Sequence, residues 1–293
     1  MKRYFFIIYS LLFIFPTLAS AEPHQGSGAI VSLDFQSIPQ GHVGIVHVTG
    51  EDISEVRAVF QERVYYFYQD SPTSFTGLLS ADMESETQPY PMQVWVKYVD
   101  GTAEKIDQNV EVSSGGYGSY ELAVPASMMP LLEPEINTAE TEKLFNIMTR
   151  FTPERYWAGG FTVPNTNEFI AWFGTWRLYN GTYWYRHTGV DIKVGVGNTI
   201  AATAGGRVML SEMMPIRGNY VLIDHGWGVY SGYAHMSERF VVPGQWVQQG
   251  DIIGLSGMTG RTSGAHIHWE MAVGGVWIDP ETFMALGLDT NKE

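Results

Sequence analysis

The chain has 293 residues, of which 45% are hydrophobic and 16% charged, with a formal net charge of −14 and no cysteine. This length is sufficient for two domains with ordinary hydrophobic cores. The acidic balance argues against nucleic-acid partners and anionic membrane surfaces, and the lack of cysteine excludes disulfide bonds and a cysteine-linked lipid anchor.

The start of the chain has the features of an export signal. A basic pair at 2–3 precedes an apolar stretch at 4–18, and the Ala-Ser-Ala sequence at 19–21 fits the A-x-A cleavage pattern. An uncleaved membrane anchor is the alternative, but a span requires about 20 apolar residues, and Pro16 falls near the end of this run. We therefore expect residues 1–21 to be a signal peptide and the mature protein to be periplasmic, secreted or in the cell envelope. We expect no stable membrane insertion after cleavage.

Residues 28–125 show a pattern typical of an all-β domain. Short runs of β-branched and aromatic residues alternate with clusters of Gly, Asp, Pro and Ser. About seven short strands separated by such turns predict an immunoglobulin-like β-sandwich. The predicted strands cover 30–35, 43–49, 57–60, 64–69, 92–99, 109–113 and 119–124.

The continuous aromatic run Tyr-Tyr-Phe-Tyr at 65–68 has two interpretations. A strand buried on both faces is the one we favour, because large aromatic side chains dominate the cores of β-proteins. A platform on which sugar rings stack is the alternative.

Residues 126–157 are predicted to form a linker that carries one helix. Asn137 can cap this helix, and Glu140 three residues later completes a capping-box pair. An apolar stripe at helical spacing predicts docking onto one or both domains. A pro-segment that occludes the site until it is removed is the alternative. The stripe consists of Leu144, Phe145, Ile147, Met148 and Phe151.

From residue 158 to residue 293, short strands alternate with Gly-rich turns, and no long helical pattern is evident. We predict a compact antiparallel β-sheet domain with a site in a groove, so that the fold class of the whole chain is mainly β. The predicted strands cover 199–203, 207–210, 220–224, 229–235, 252–256 and 267–273.

Five of the eight histidines fall between positions 187 and 268 of this region. Histidine and aspartate are the zinc ligands available to a chain without cysteine. His266 and His268 are two apart, so a strand would direct both to one face, and His187 and Asp191 are four apart, which also places them on one face. Two imidazoles and one carboxylate make a three-ligand site with a fourth position left for water, as catalytic zinc sites have.

Three segments around these histidines resemble the lysostaphin-type (LytM) zinc endopeptidases. They are 187–191 (HTGVD), 233–237 (YAHMS) and 266–268 (HIH), and they match the family's HxxxD, YAHLS-like and HxH motifs in order. Met236 stands where leucine is usual. The likeness covers residues 158–283, and its flanking matches are Phe173-Gly174, Asn180-Gly181, 250–254, 259–261 and Asp279-Pro280.

This resemblance implies a metallopeptidase site with assigned roles. One Zn²⁺ per chain would be held by His187, Asp191 and His268, and His235 and His266 would be catalytic. The implied reaction is hydrolysis of peptide cross-links of peptidoglycan through a metal-activated water. His266 would take or orient the proton of that water and His235 would donate to the oxyanion or the leaving amine, although the two could exchange roles.

Three further polar residues of this region are given supporting or structural roles. Asn180, Glu270 and backbone carbonyls are candidates for orienting the site histidines from a second layer. His225 follows an apolar run in a turn, and we interpret it as structural.

Two other functions stay open: a catalytically silent LytM-like regulator of another cell-wall hydrolase, and a secreted metalloprotease that acts on protein. The first is disfavoured because every ligand position is filled, and the second because no HExxH helix is present. The layout of a β domain ahead of the catalytic one resembles exported family members. It favours a D-alanyl–diaminopimelate bond over a glycine bridge as the bond that is cut.

Overall fold

The structure is a computed structural model that describes residues 28–288. The expected signal peptide, residues 1–21, lies outside the described residues. The described chain is mainly β, as predicted, with 23 strands, two α-helices and one 3-10 helix. None of the helices in this range is long and apolar enough to cross a membrane.

Nine strands form the first part of the fold, which we call the N-terminal sandwich. They are β1 (Ile30–Leu33), β2 (Ser37–Pro39), β3 (Val43–Thr49), β4 (Ile53–Phe60), β5 (Arg63–Tyr66), β6 (Tyr68–Ser71), β7 (Ser74–Ser80), β8 (Pro89–Tyr98) and β9 (Ala103–Ser113). Two sheets result, with the orders β1-β3-β7-β6 and β2-β9-β8-β4-β5. Alternating side chains of both sheets meet in one core, as in a sandwich. This arrangement is compatible with the predicted immunoglobulin-like fold.

The aromatic run at 65–68 lies where the chain passes from one sheet to the other. Tyr65, Phe67 and Tyr68 are buried, which agrees with the favoured interpretation only in part, because the run divides between β5 and β6 and is not one strand buried on both faces. Tyr66 is partly exposed and stacks on Phe151. The run therefore contributes to the hydrophobic core and, through Tyr66, to the contact with the segment that contains Phe151.

Two helices follow: a 3-10 helix at Ala126–Leu132 and α1 at Pro134–Met148. The expected cap at Asn137 is wrong, because α1 starts at Pro134 with Glu133 as its N-cap. Proline suits the first turn, where its fixed φ is already helical and its missing N–H would have no partner. Consequently Glu140 is not a capping residue but lies in the middle of α1, where it is buried.

The second part of the fold, which we call the C-terminal β region, comprises fourteen strands and one short helix. They are β10 (Ser119–Leu122), β11 (Phe169–Ala171), β12 (Trp176–Tyr179), β13 (Tyr183–Arg186), β14 (Val190–Ile192), β15 (Thr199–Ala201), β16 (Gly206–Met214), β17 (Gly218–Gly226), β18 (Val229–Met236), β19 (Glu238–Arg239), β20 (Trp246–Val247), β21 (Ile252–Leu255), β22 (Ile267–Val273), β23 (Val276–Ile278) and α2 (Pro280–Ala285). The main sheet has the order β11-β14-β22-β18-β17-β16-β20, with β23 paired to β22. Smaller sheets have the orders β10-β12-β13 and β15-β21-β19.

Strand β10 differs from its expected position. The sequence placed residues 119–124 with the first β domain, but β10 pairs in parallel with β12 of the C-terminal β region. Its alternating pattern predicts a strand but carries no information about which sheet accepts it.

The two parts of the fold share a continuous core. Leu144 and Met148 of α1 join the apolar core of the C-terminal β region, and so do Val43 and Leu78 of the sandwich. In the stripe predicted for α1, only Phe145 is well exposed, at 40%. The helix therefore packs against the C-terminal β region along one face.

Candidate metal centre

Neighbouring strands of the main sheet bring the predicted ligands together. In the β14–β22 pair, Asp191 lies directly opposite His268. His187 lies in the turn just before β14, and Gly189 lets this turn approach β22, because a Cβ there would overlap the carbonyl oxygen of Trp269. The HxxxD spacing thus places its histidine and its aspartate on the same side of β22.

His235 owes its position to an irregularity in β18. The register between β17 and β18 shifts next to it, so that β18 carries one extra residue. His235 itself has a left-handed φ of 60°, which is uncommon for a residue with a side chain. Bulges of this kind redirect a side chain from its regular direction and occur next to active sites.

Three donor atoms converge on one point. His187 Nε2 lies 2.9 Å from both Asp191 Oδ1 and His268 Nδ1, and the latter two atoms are 2.8 Å apart. All three residues are buried. Within residues 28–288, they are the one group of histidines and carboxylates whose ligand atoms are close enough to hold a metal ion together.

The outer nitrogens of these two imidazoles determine what the inner ones can do. His187 Nδ1 lies 2.8 Å from the carbonyl oxygen of Trp172, and His268 Nε2 lies 3.1 Å from Glu270 Oε1. Both partners only accept hydrogen bonds, so each outer nitrogen carries the proton and each inner nitrogen of the neutral ring presents a lone pair. Two nitrogen lone pairs and the Asp191 carboxylate therefore face one another. A cation satisfies this arrangement, and a zinc ion fits the donor set of two imidazoles and one carboxylate.

The electrostatics of His187 and Asp191 suit this purpose. Burial lowers the pKa of His187 to about 4, so this ring is neutral at physiological pH. Burial opposes ionisation of Asp191, but the surrounding His187, His268 and Arg177 outweigh it and hold the pKa well below its ordinary value. Burial also lowers the pKa of His268, yet Glu270 and Asp191 more than compensate and leave it raised. Arg177 Nη2 donates to Asp191 Oδ2 over 2.7 Å, which leaves Oδ1 directed at the centre.

His235 and His266 flank the three ligands with a different arrangement. Each donates its Nδ1–H to a backbone carbonyl, that of Thr259 over 2.8 Å and that of Gly264 over 2.9 Å. Their ring centroids are 4.7 Å apart, and His266 Nε2 lies 3.5 Å from Asp191 Oδ1. Burial lowers the pKa of both rings, most strongly for His235. Each neutral ring therefore presents an Nε2 lone pair next to the ligand cluster.

The orienting partners expected from the sequence are partly correct. Glu270 and backbone carbonyls hold the site histidines, as expected. Asn180 does not, because its side chain, at the β12–β13 turn, forms hydrogen bonds with the backbone N–H and C=O of Val124. Two arginines were missed, Arg177 on Asp191 and Arg217 on Glu270. A lone arginine within the aromatic strand β12 is a signal that could have pointed to Arg177, whereas Arg217 lies in the turn between β16 and β17 and has no such signal.

His225 agrees with the structural role expected for it. The residue is fully buried, with Nδ1 2.8 Å from the carbonyl oxygen of Gly205 and Nε2 2.7 Å from Ser231 Oγ. Both nitrogens are thus engaged within the core of the C-terminal β region.

Comparisons with known proteins find relatives of the part of the chain that holds this site. The sequence model of peptidase family M23 matches residues 185–280, which include all five site residues. The peptidoglycan DD-endopeptidase ShyA of Vibrio cholerae is 40% identical over 89 residues, which cover 30% of this chain and 21% of that protein. The DD-carboxypeptidase/endopeptidase Mpg of Neisseria meningitidis is 36% identical over 106 residues, covering 36% of this chain and 23% of that protein. The chain thus matches only about a fifth of the length of these relatives.

One solved structure resembles most of the molecule. It is that of a Pseudomonas aeruginosa protein assigned to peptidase family M23, with a TM-score of 0.63 and 21% identity. The likeness covers 86% of this chain and 96% of the other, and at this identity it concerns the fold. The resemblance to lysostaphin-type endopeptidases is confirmed by the match of residues 185–280 to the model of peptidase family M23.

Proposed function

We propose that the protein is a zinc-dependent endopeptidase that hydrolyses peptide cross-links of peptidoglycan. The convergence of His187 Nε2, Asp191 Oδ1 and His268 Nδ1, flanked by two imidazoles with available Nε2 lone pairs, is the observation that carries this proposal. A silent regulator would need neither the complete donor set nor the two flanking bases.

In this proposal His187, Asp191 and His268 hold one zinc ion. When bound, zinc polarises a scissile carbonyl and lowers the pKa of a water molecule toward about 7. The carboxylate of Asp191 offsets part of the positive charge. Its second oxygen stays with Arg177, which keeps the donor set at two nitrogens and one oxygen.

The two flanking histidines handle protons. His266 accepts a proton from the attacking water at Nε2, because that atom is next to Asp191 and the ligand cluster. His266 then gives this proton from Nε2 to the amine that leaves as the C–N bond breaks, either directly or by way of Nε2 of the neighbouring His235, and both rings return to the neutral form. The Nδ1–H bonds to backbone carbonyls keep both rings in the tautomer that this transfer requires.

The relatives and the expected export support a substrate in the peptidoglycan. ShyA and Mpg are named for endopeptidase activity, and ShyA for a DD-endopeptidase of peptidoglycan. We propose that this chain cuts the D-alanyl–diaminopimelate bond between stem peptides, outside the cytoplasmic membrane. We further propose that a signal peptide at 1–21, a β domain at 28–125 and a linker at 126–157 precede the peptidase domain at 158–293, with β10 at the end of the β domain crossing over to pair with β12 of the peptidase domain.

Digestion of purified sacculi by the zinc-loaded mature chain tests the proposal. Mass analysis of the products should show cross-linked dimers converted to monomers with a new free amine on diaminopimelate. Asp191→Asn, which has nearly the same shape but lacks the charged ligand, serves as the control and should leave the dimers intact. Intact dimers after digestion with fully loaded protein would refute the proposal, and cleavage of an unfolded protein instead would favour the protein-directed alternative.

A further inference from the structure

A buried carboxylate of helix α1 reaches the C-terminal β region. Glu140 is 4% exposed, and its side chain accepts hydrogen bonds from the backbone N–H groups of Ile216 over 2.9 Å and Arg217 over 3.1 Å. It also accepts from Arg217 Nη1 over 2.9 Å. Three donors on a carboxylate this deeply buried indicate a built contact, because an unpaired charge at this position would be strongly destabilising.

Arg217 extends the contact toward the metal centre in two directions. Its Nε and Nη2 donate to Glu270 Oε2 over 2.8 Å and to Oε1 over 2.6 Å, a two-point pairing that fixes the carboxylate plane. Its backbone carbonyl accepts the N–H of His235 over 2.8 Å. Arg217 therefore contacts both Glu270, which lies behind the proposed ligand His268, and the backbone of His235.

Glu270 completes the connection to the ligand. Besides Arg217, it accepts from the hydroxyls of Tyr220 and Thr188, and its Oε1 lies 3.1 Å from His268 Nε2. A carboxylate behind a ligating imidazole fixes the ring orientation and makes the inner nitrogen a stronger donor. Glu140 and Glu270 share the positive charge of Arg217. The negative charge that Glu270 presents to His268 therefore depends on how strongly Arg217 also pairs with Glu140.

We propose that Glu140 is a positioning residue for the metal centre, acting through Arg217 and Glu270 on His268 and through the Arg217 carbonyl on His235. This inference rests on the zinc site of the proposed function. Glu140 lies outside the matched residues 185–280, so the family match does not contain it. In this proposal α1 is an integral part of the site, because its removal would leave Arg217 with only one of its two carboxylates. A pro-segment, which the sequence also allowed, would instead be removed to open the site.

The test measures zinc affinity of the full-length mature chain by competition with a chromogenic chelator. Glu140→Gln keeps the side-chain volume but removes the charge, and we expect zinc to bind about tenfold more weakly, the lower end of the effect of such outer groups. The absorption spectrum of the cobalt-substituted variant should also change, which a purely structural role would not cause. Glu142→Gln, on the exposed side of the same helix, is the control and should match wild type.

A double-mutant cycle with Glu270→Gln separates positioning from general destabilisation. If Glu140 acts through Glu270, its substitution should weaken zinc binding much less in the Glu270→Gln background than in wild type. Equal effects in the two backgrounds, or unchanged affinity in Glu140→Gln, would overturn the inference. Should Glu140→Gln fail to fold, Glu140→Asp, which keeps the charge but shortens the reach, must show the same loss. Wild-type protein that binds no zinc would overturn the proposed function together with this inference.

Discussion

In the proposed mechanism four imidazoles perform two different tasks because their available nitrogens lie at different positions relative to Asp191. His187 and His268 turn lone pairs toward Asp191, and His235 and His266 turn theirs toward the space next to it. Each ring is held by an acceptor on the opposite nitrogen, so its tautomer is determined by the protein. The difference between ligand and base is therefore one of position and not of residue type.

This division predicts different outcomes for alanine variants. His187→Ala should lose both zinc and activity, because one of three ligands is gone. His235→Ala and His266→Ala should keep about one zinc, while turnover on cross-linked muropeptides falls by roughly two to four orders of magnitude, the usual scale for acid–base groups. Elemental analysis and muropeptide assays measure both quantities, with His47→Ala in the sandwich as the control. Zinc loss in a folded His266→Ala would show that His266 is a fourth ligand.

His225 predicts a pH dependence of stability that is separate from the metal site. Burial lowers its pKa from 6.5 to about 4, so the unfolded chain binds a proton at this residue before the folded chain does. Its contribution to the free energy of unfolding is fully present above pH 6.5 and is lost as the pH falls toward 4. The loss would be about 3 kcal/mol.

Urea unfolding of wild type and His225→Gln between pH 7 and 4.5 measures this contribution. The variant should be less stable at pH 7, because glutamine does not reproduce both buried hydrogen bonds, and the difference should shrink as the pH is lowered. A difference that is independent of pH would contradict the neutral, buried state of His225.

Among the secondary-structure elements, those rich in apolar and aromatic residues and bounded by turn residues were predictable. The predicted strands 229–235 and 267–273 correspond closely to β18 and β22, because both are rich in such residues and lie next to glycines, at 228 and at 274. β7 was missed, since three hydroxyl residues and Gly77 interrupt its apolar pattern. Gly77 is needed there, because a Cβ would lie 2.7 Å from the ring of Phe67.

In the candidate site, too, the sequence predicted contacts within short segments but not contacts between residues far apart in the chain. The spacing of its histidines is encoded within short segments, so the sequence predicted which residues belong together. The Glu140–Arg217 pair joins residues 77 positions apart, and its partner Glu270 lies 53 positions from Arg217. No local period links these residues, and only the packing of α1 against the sheet brings them together.

The loop between β16 and β17 predicts an effect of backbone shape on activity. Gly218 has a φ of 65°, and an added Cβ would overlap the backbone of Thr259, whose carbonyl holds His235. Gly218→Ala should therefore displace this carbonyl and lower kcat by about 10–100-fold while zinc stays bound. Gly197→Ala is a matched control, because its φ of 85° brings similar strain but the added Cβ meets nothing within 4 Å. Equal kcat for the two variants would contradict the role of Thr259.

At the scale of the whole molecule, the contacts between the N-terminal sandwich and the C-terminal β region are those of a core. Ser80, which is fully buried, donates its hydroxyl to the carbonyl oxygen of Val273 over 2.9 Å and contacts the Tyr65 hydroxyl. Arg186, next to the proposed ligand His187, pairs with Glu84 of the segment that follows β7. A region that shares apolar side chains and buried hydrogen bonds with its neighbour should not unfold independently of it.

Two adjacent leucines of β7 allow this coupling to be measured. Leu78 points into the core shared with the C-terminal β region, and Leu79 points into the core of the sandwich; their exposures are 3% and 1%. Replacing either with alanine should cost about 2–5 kcal/mol, since each change leaves a cavity. Leu79 lies outside the core that contains strands β14 and β22. If the molecule nevertheless unfolds as one unit, Leu79→Ala should lower the urea midpoint of zinc release by as much as it lowers the urea midpoint measured by circular dichroism. Zinc release at the wild-type midpoint in Leu79→Ala, together with an early shift in circular dichroism, would instead show that the sandwich unfolds alone.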